Sequence, residues 1–495
     1  MINLSSFIRY HATHTPERLA IVYKNRRIGF AEFYQRIEKA AGYLAARGIG
    51  PNDVIAVMMK NSAAFLELAF AASHLGAVFL PINFRLAADE VEYIVGNAEA
   101  KLLFADVEFE AAVKNIPFTI LLDEPAQMDT AIFTANAAPA PMHQRAPDEL
   151  FRLMYTSGTT DRPKGVMHTY SNFYWKCMDH VIALGLTADA RLLVTGPLYH
   201  VGAFDLPGMA VLWVGGMLYI HREFDAARVL TSIAAEKLTC GWLAPVMLGS
   251  VLAHPQRGSF DVSTIRWIIG GGERTPEARI RAFSEYFTNG RYIDGYGLTE
   301  SCSGDTLMEA GREIEKIGSV GRALPHVEVD IRDADGRALP AGEAGEICLR
   351  GPRITKGYWR DEKKTAASFY GDWFRTGDVG YLDDDGFLYL TDRVKDMIIS
   401  GGENIASSEV ERVVYQMPQV REAAIVGLPD DKWGERPVAV IALNPGHTLD
   451  YETLASHCRA HLAAFKVPKQ LILREQLPRN PSGKVLKRVL RDELR

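Results

Sequence analysis

The chain has 495 residues, 47% apolar and 23% charged, which is the make-up of an ordinary soluble enzyme of two or three packed units. A net charge of −6 and a pI near 6.1 argue against a nucleic-acid binder, whose affinity rests on neutralising phosphates. The five cysteines (Cys177, Cys240, Cys302, Cys348, Cys458) are odd in number, widely spaced and without a CxxC pair, so they suggest neither a disulfide scaffold nor a zinc site and fit a reduced, cytoplasmic setting.

The N-terminus, MINLSSFIRYHATHTPERLA, lacks the basic and apolar regions of a signal peptide. Phe30, Phe33, Tyr34, Ile37, Ala41 and Leu44 recur at helical spacing, and Gly48 stops the run. Asp53–Met59 follows as a short buried strand, and Asn61-Ser62 are plausible caps for a second helix. The apolar stretch Ala63–Ile82 resembles a membrane span, but it carries Glu67, Ser73 and His74 and is broken by Gly76 and Pro81. A buried helix running into a strand is the better reading. Alternation of this kind predicts βαβ units and a largely parallel sheet. Ala135–Pro141 reads as a surface loop. From Val327 the texture changes: Val327–Ile331, Glu346–Arg350 and Gly386–Leu390 are short strands between turns such as Asp335-Gly336 and Asp385-Gly386, predicting a small antiparallel β subdomain. Beyond Asp392 the βα texture returns and ends in a basic helix over Lys484–Arg495. The boundary therefore falls at Asp392–Asp396.

Tyr155-Thr-Ser-Gly-Thr-Thr-Asp-Arg-Pro-Lys-Gly165 is the strongest chemical signal. Its hydroxyls and glycine N–H groups can wrap an anion, and Lys164 adds a point charge. It is not a P-loop, because GxxxxGK[ST] is absent. Further segments follow: Gly270-Gly-Gly-Glu273, Gly295-Tyr-Gly-Leu-Thr-Glu300, Phe374-Arg-Thr-Gly-Asp378, Asp392-Arg-Val-Lys-Asp396 with Ile399–Asn404, and Pro478-Arg-Asn-Pro-Ser-Gly-Lys484. The glycines of 295–300 let a ligand approach the backbone, and Tyr296 offers a ring face for stacking. Thr299 can donate to a phosphate, and Glu300 can hold Mg²⁺, which takes oxygen ligands. Asp378 can accept two hydroxyls at once. In isolation Glu300, Asp378 and Lys484 read as a surface carboxylate, a turn residue and a solvated amine.

Together, and in this order, these segments resemble the superfamily of adenylate-forming enzymes: acyl- and aryl-CoA synthetases, peptide-synthetase adenylation domains and beetle luciferases. The resemblance spans essentially the whole chain. It implies an α/β fold, with a large N-terminal domain of parallel-sheet βα units over 1–391, including a β subdomain at about 322–391. A hinge at 392–396 and a small mobile α+β cap over 397–495 complete it. ATP or AMP would be held by Thr156, Ser157, Gly158, Thr159, Thr160, Lys164, Gly271, Gly272, Glu273, Asp294, Gly295, Tyr296, Gly297, Asp378 and Arg393. Lys484, Thr299, Glu300 and His200 would be catalytic, Glu300 as the Mg²⁺ ligand and His200 as the gate of the pantetheine channel. Lys395 would be the hinge, a permitted variant of the family's Asp or Lys. The cap would turn about it to withdraw Lys484 and bring Ser400-Gly401-Gly402 to CoA, with Trp433 and Phe465 as further CoA contacts.

The acyl pocket of such enzymes would fall at Gly202, Ala203, Phe204, Gly271, Gly297, Ser303 and Gly304. These are mostly small, no cation for a second carboxylate is visible, and Asp205 is a polar intruder without an assigned place. A roomy apolar pocket predicts a medium- or long-chain fatty acid, with an aryl acid as the alternative. Asp161 stands where relatives carry Gly and is expected to weaken ATP binding. The expected reaction uses ATP, Mg²⁺ and coenzyme A; a luciferase-like oxidoreductase or a carrier-protein adenylation module is the alternative of another class. The expected partners are these small molecules and a second copy in a homodimer, with no nucleic acid and no transmembrane segment; peripheral membrane contact is left open.

Overall fold

The computed structural model describes residues 3–128, 134–156, 163–272, 275–393, 396–400, 403–430, 433–479 and 485–495. Two sheets build the N-terminal unit. One has six strands in the order Thr119–Leu122, Ala100–Asp106, Val54–Met58, Val78–Pro81, Leu150–Thr156 and Lys164–Thr169. All its neighbours are parallel except the last pair, a hairpin. The other has nine strands; Arg291–Tyr296, Trp267–Gly270, Cys240–Trp242, Arg191–Val194, Met217–Ile220 and Leu19–Tyr23 form its parallel centre. Short antiparallel strands finish both edges of that second sheet.

The expected first helix runs Phe30–Ala45 and buries Phe30, Phe33, Ile37, Ala41 and Leu44 on one face. The span-like stretch divides as the sequence predicts. Ser62 accepts a hydrogen bond from the Phe65 N–H and opens a helix over Ala63–Leu75, all of it buried, and Gly76 ends it at φ +72°. The strand Val78–Pro81 follows. This helix is buried all round, Glu67, Ser73 and His74 included, because its apolar side chains join a core that takes Ile55, Val57 and Phe104 from one sheet and Ile21, Leu192 and Leu218 from the other. Among the described residues no helix is long and apolar enough to cross a membrane.

The β subdomain holds the three expected strands, at Glu328–Arg332, Gly345–Arg350 and Leu388–Arg393, in a five-stranded antiparallel sheet. Gly386 sits in the preceding turn at φ +78°, which delays the last strand to Leu388. Its central strand, Trp373–Leu382, went unread in the sequence. Two glycines and a bulge at Val379-Gly380 break the alternation that marks a strand.

The C-terminal unit is a five-stranded sheet buried on both faces. Alternate residues of its long hairpin point to opposite cores: Ile425 and Ile441 meet Val410 and Leu454, while Val426 and Val440 meet Leu477 and Leu490. Each such side chain stabilises the unit by about 1.5–3 kcal/mol, which gives it a core of its own. The terminal helix is Lys487–Leu494, starting later than expected, and Lys484 lies outside the described residues.

Candidate active site

Two sheet ends converge on the cluster of expected phosphate-binding residues. The hairpin pairs Tyr155 with Gly165 and Thr156 with Lys164. It thus brackets the loop 157–162, so Ser157, Gly158, Thr159, Thr160 and Asp161 lie outside the described residues. Lys164 Nζ donates to the Tyr358 hydroxyl at 2.9 Å, and Tyr358 donates to Glu300 Oε1 at 2.9 Å. Lys164 and Glu300 are themselves 4.0 Å apart. Burial, with Glu300 adding to it, pushes the Tyr358 phenol upward, so it stays a donor. These three residues line a 260 Å³ cleft with Glu346, Arg375, Thr376 and Gly377. Two cations beside two carboxylates, with Arg375 paired to Glu346, suit a polyphosphate accompanied by a divalent ion.

The donor set also fits Mg²⁺. Glu300 offers a carboxylate, and the Thr156 hydroxyl is buried with no hydrogen-bond partner among the described residues. No cluster of three His, Cys, Asp or Glu occurs among the described residues, but Mg²⁺ needs only one or two carboxylates when phosphate and water supply the rest.

The parallel strands Trp267–Gly270 and Arg291–Tyr296 pair Gly270 with Asp294 at their carboxyl ends, where ligands of such sheets bind. Gly271 therefore runs beside Gly295: a Cβ on Gly271 would lie 3.1 Å from the Gly295 carbonyl. Gly272 takes φ +91°, a conformation that favours glycine. Asp294 is buried, and its carboxylate accepts from the Gly295 N–H. Tyr296 is only 7% exposed and packs against Val320, Val327 and Ile347, so it offers less ring face than the sequence suggests. Its hydroxyl donates to Asp378 Oδ2 at 2.9 Å. Asp378 sits in the strand Trp373–Leu382 just after Gly377, a stretch held by Glu346, which accepts from both Arg375 and the Gly377 N–H. Asp378→Ala is expected to weaken ATP binding by about 1.5–3 kcal/mol, the range for a bond to a charged group. Calorimetry checks this: Tyr296→Phe should cost less, and unchanged affinity in Asp378→Ala removes Asp378 from the site.

The expected acyl region differs from the open space read from its glycines. The Trp242 ring lies against Gly196 and Gly202: a Cβ on either would come within 2.6 Å or 2.7 Å of it. A Cβ on Gly304 would lie 2.6 Å from His180 Nε2, and one on Gly297 would overlap the Ser303–Gly304 backbone. Phe204 is 2% exposed, in a ring cluster with Phe65, Phe79 and Phe173. Here glycine marks the close approach of a neighbour. Cys302, Ser303 and Gly304 take φ of 60°, 65° and 67° in succession, and Ser303 is 7% exposed. Arg353, fully buried, holds this strained loop by donating to the Ser303 and Gly304 carbonyls.

Asp205 now has its place. Arg152 forks onto both its carboxylate oxygens at 3.0 and 2.6 Å, all side-chain atoms buried. Arg152 also donates to His168 Nδ1, whose Nε2–H donates to the Thr299 carbonyl at 2.6 Å. Burial, then Arg152, pushes the His168 pKa well down, which keeps the ring neutral and able to do both. Lys176 donates to the Asp205 carbonyl, and Arg353 pairs with Asp179 at 3.0 Å. Buried cations are thus present around this region although the sequence showed none. The one signal was an arginine inside the apolar run Leu150-Phe-Arg-Leu-Met154.

His200 caps a short helical turn, its Nδ1 accepting from the Gly202 N–H. It lines a 930 Å³ cavity with Trp242, Asn61, Arg85, Arg222 and, from the C-terminal unit, Arg479. Ser400 pairs with Gly434, next to Trp433, which is 46% exposed; Phe465 is 37% exposed. Neither aromatic is a core residue. Glu273, Lys395, Gly401, Gly402, Lys484 and the Arg393 side chain lie outside the described residues.

Residues 8–359 match the model of the AMP-binding enzyme family, and 409–484 match the AMP-binding enzyme C-terminal domain. A feruloyl-CoA synthase of Amycolatopsis sp is 36% identical over 98% of this chain and 97% of its own. A long-chain-fatty-acid–CoA ligase of Mycobacterium tuberculosis is 35% identical over 100% and 99%. The o-succinylbenzoate CoA synthetase of Bacillus subtilis, solved with its acyl-adenylate intermediate, superposes with a TM-score of 0.89 at 32% identity, over 99% and 98% of the two chains.

Proposed function

The chain belongs to the AMP-binding enzyme family and is an ATP-dependent acid–CoA ligase that uses Mg²⁺, and we propose that its acid is a compact aryl acid. Adenylation converts ATP and the carboxylate to acyl-AMP and pyrophosphate; CoA thiol then displaces AMP to give the thioester. Carboxylates are already ionised at neutral pH, so the first step needs no general base. What it needs is fixed positive charge around the phosphates, which Lys164 and Arg375 would supply at the cleft. Glu300 would hold Mg²⁺, which when bound neutralises phosphate charge. Asp378 would hold the ribose, and His200 would face the incoming thiol.

Trp242 carries the substrate reading. Its ring fills the space that Gly196 and Gly202 leave open and, with Phe84 and Phe224, forms part of the wall of the 930 Å³ cavity. A flat aromatic acid can stack on such rings, a contact that a long alkyl chain does not make. The relative acting on ferulate supports the same reading, whereas the long-chain-fatty-acid relative supports the second one, a medium- or long-chain fatty acid.

A panel of acids scored by pyrophosphate release with and without CoA tests this. Cinnamate- or phenylacetate-type acids should exceed palmitate in kcat/KM by more than about tenfold, since pocket size alone discriminates to that extent. Trp242→Ala should narrow the gap by raising palmitate turnover. Preference for palmitate in the unaltered enzyme overturns the reading.

A further inference from the structure

Tyr358 lines the 260 Å³ cleft, yet the reaction as described gives it no task. Its backbone is tied to both sides of that cleft. On one side the segment 357–359 lies against the strand Lys164–Thr169. The Trp359 N–H donates to the Gly165 carbonyl at 2.7 Å, the Met167 N–H donates to the Gly357 carbonyl at 3.1 Å, and Tyr358 bridges Val166 antiparallel. On the other side the Thr355 N–H donates to the Glu300 carbonyl at 2.7 Å. Tyr358 is 3% exposed, so packing fixes its ring as firmly as pairing fixes its backbone.

From this position the hydroxyl stands between two opposite charges. It accepts from Lys164 Nζ and donates to Glu300 Oε1, both at 2.9 Å. The Lys164 ammonium also lies over the Tyr358 ring, 4.1 Å from its centroid. An ammonium can only donate and a carboxylate can only accept, so one hydroxyl satisfies both at once. The two charges are left 4.0 Å apart, longer than a hydrogen-bonded ion pair. Without the hydroxyl, Lys164 would lose an acceptor and Glu300 a donor, and each would find its replacement in the other. Such a closed pair would have to open before phosphate could take the ammonium.

We propose that Tyr358 is a positioning residue that keeps Lys164 and Glu300 from closing on each other, so that Lys164 turns to the ATP phosphates without first leaving a carboxylate. This rests on the reading that the cleft receives those phosphates. The hydroxyl acts through Lys164 and need not touch the nucleotide.

The test is ATP affinity by calorimetry, with divalent metal chelated and no acid present, so that no turnover contributes. Tyr358→Phe removes only the hydroxyl. The backbone bonds that seat the ring do not involve it, and thermal unfolding checks that the variant is folded. Binding should weaken by about tenfold, the scale of a close charge pair that must first be broken. In a Glu300→Gln background Lys164 has no carboxylate to close on, and the same change should cost little. That dependence on background is the signature of coupled groups. A hydroxyl that contacts ATP itself, or that merely supports the fold, would cost the same in both backgrounds, and this result overturns the proposal. Unchanged affinity in Tyr358→Phe overturns it as well. Lys164→Met separates the proposal from the reading beneath it. If Lys164→Met leaves ATP affinity unmoved, phosphate does not bind at the cleft and both fall. If it weakens binding while Tyr358→Phe does not, only the role of Tyr358 is lost.

Discussion

Arg152→Ala is expected to destabilise the N-terminal unit by about 3–5 kcal/mol, the cost of leaving a buried charge without its partner. Arg152 satisfies both oxygens of Asp205 and the Nδ1 of His168, and the ion pair has no exposed side-chain atom. Water cannot take over these roles without opening the core, because Phe173 and Phe204 pack against the guanidinium at 4.6 and 5.6 Å. A sharper test replaces both charges. Arg152→Met with Asp205→Leu should be close to neutral, since well-packed apolar residues commonly substitute for a buried pair at little cost. Urea unfolding of the single and double variants measures this. Equal losses in both would mean that packing at position 152, and not the unpaired carboxylate, sets the cost. Because His168 also anchors the Thr299 carbonyl, the single variant should lose adenylation activity even where it remains folded.

Lys484→Ala is expected to slow acyl-adenylate formation by about 10²–10³-fold, the scale for removing one preorganised donor from developing charge. The same variant should still convert supplied acyl-AMP to thioester, because in the proposed second conformation Lys484 has been withdrawn. Lys395→Pro is expected to do the reverse. Proline fixes φ near −65°, so the hinge could not absorb the backbone change that rotation of the cap requires. Adenylation should persist, and thioester formation should collapse. Pyrophosphate exchange measures the first half-reaction, and thioester yield from synthetic acyl-AMP measures the second. Loss of both halves in both variants would sink the two-conformation mechanism.

What could be read without coordinates was whatever lies contiguous in the chain. The Tyr155–Gly165 string, the 295–300 segment and the turn before Asp378 each assemble from neighbouring residues, so their spacing alone displays their chemistry. The division of Ala63–Ile82 into helix and strand was likewise legible, because Ser62 and Gly76 act within a few residues of the ends they form. Strand Trp373–Leu382 was not, since its pairing is set by partners on either side and not by its own alternation.

The acyl region shows the opposite limit. A glycine in a sequence states only that a side chain is missing. Whether the vacancy is open, as a substrate would need, or filled by Trp242 or His180 depends on residues brought from elsewhere by the fold. The same holds for Asp205, an intruder until Arg152 arrives from the neighbouring sheet, and for Asp179, whose partner Arg353 lies 174 positions away. The family and its motifs were thus determined by sequence alone, because each motif is a contiguous run, whereas the cleft that Lys164, Glu300 and Tyr358 share is assembled only by the fold. The shape and polarity around the acid were decided only by tertiary structure, because a buried charge or a filled vacancy is a relation between distant segments.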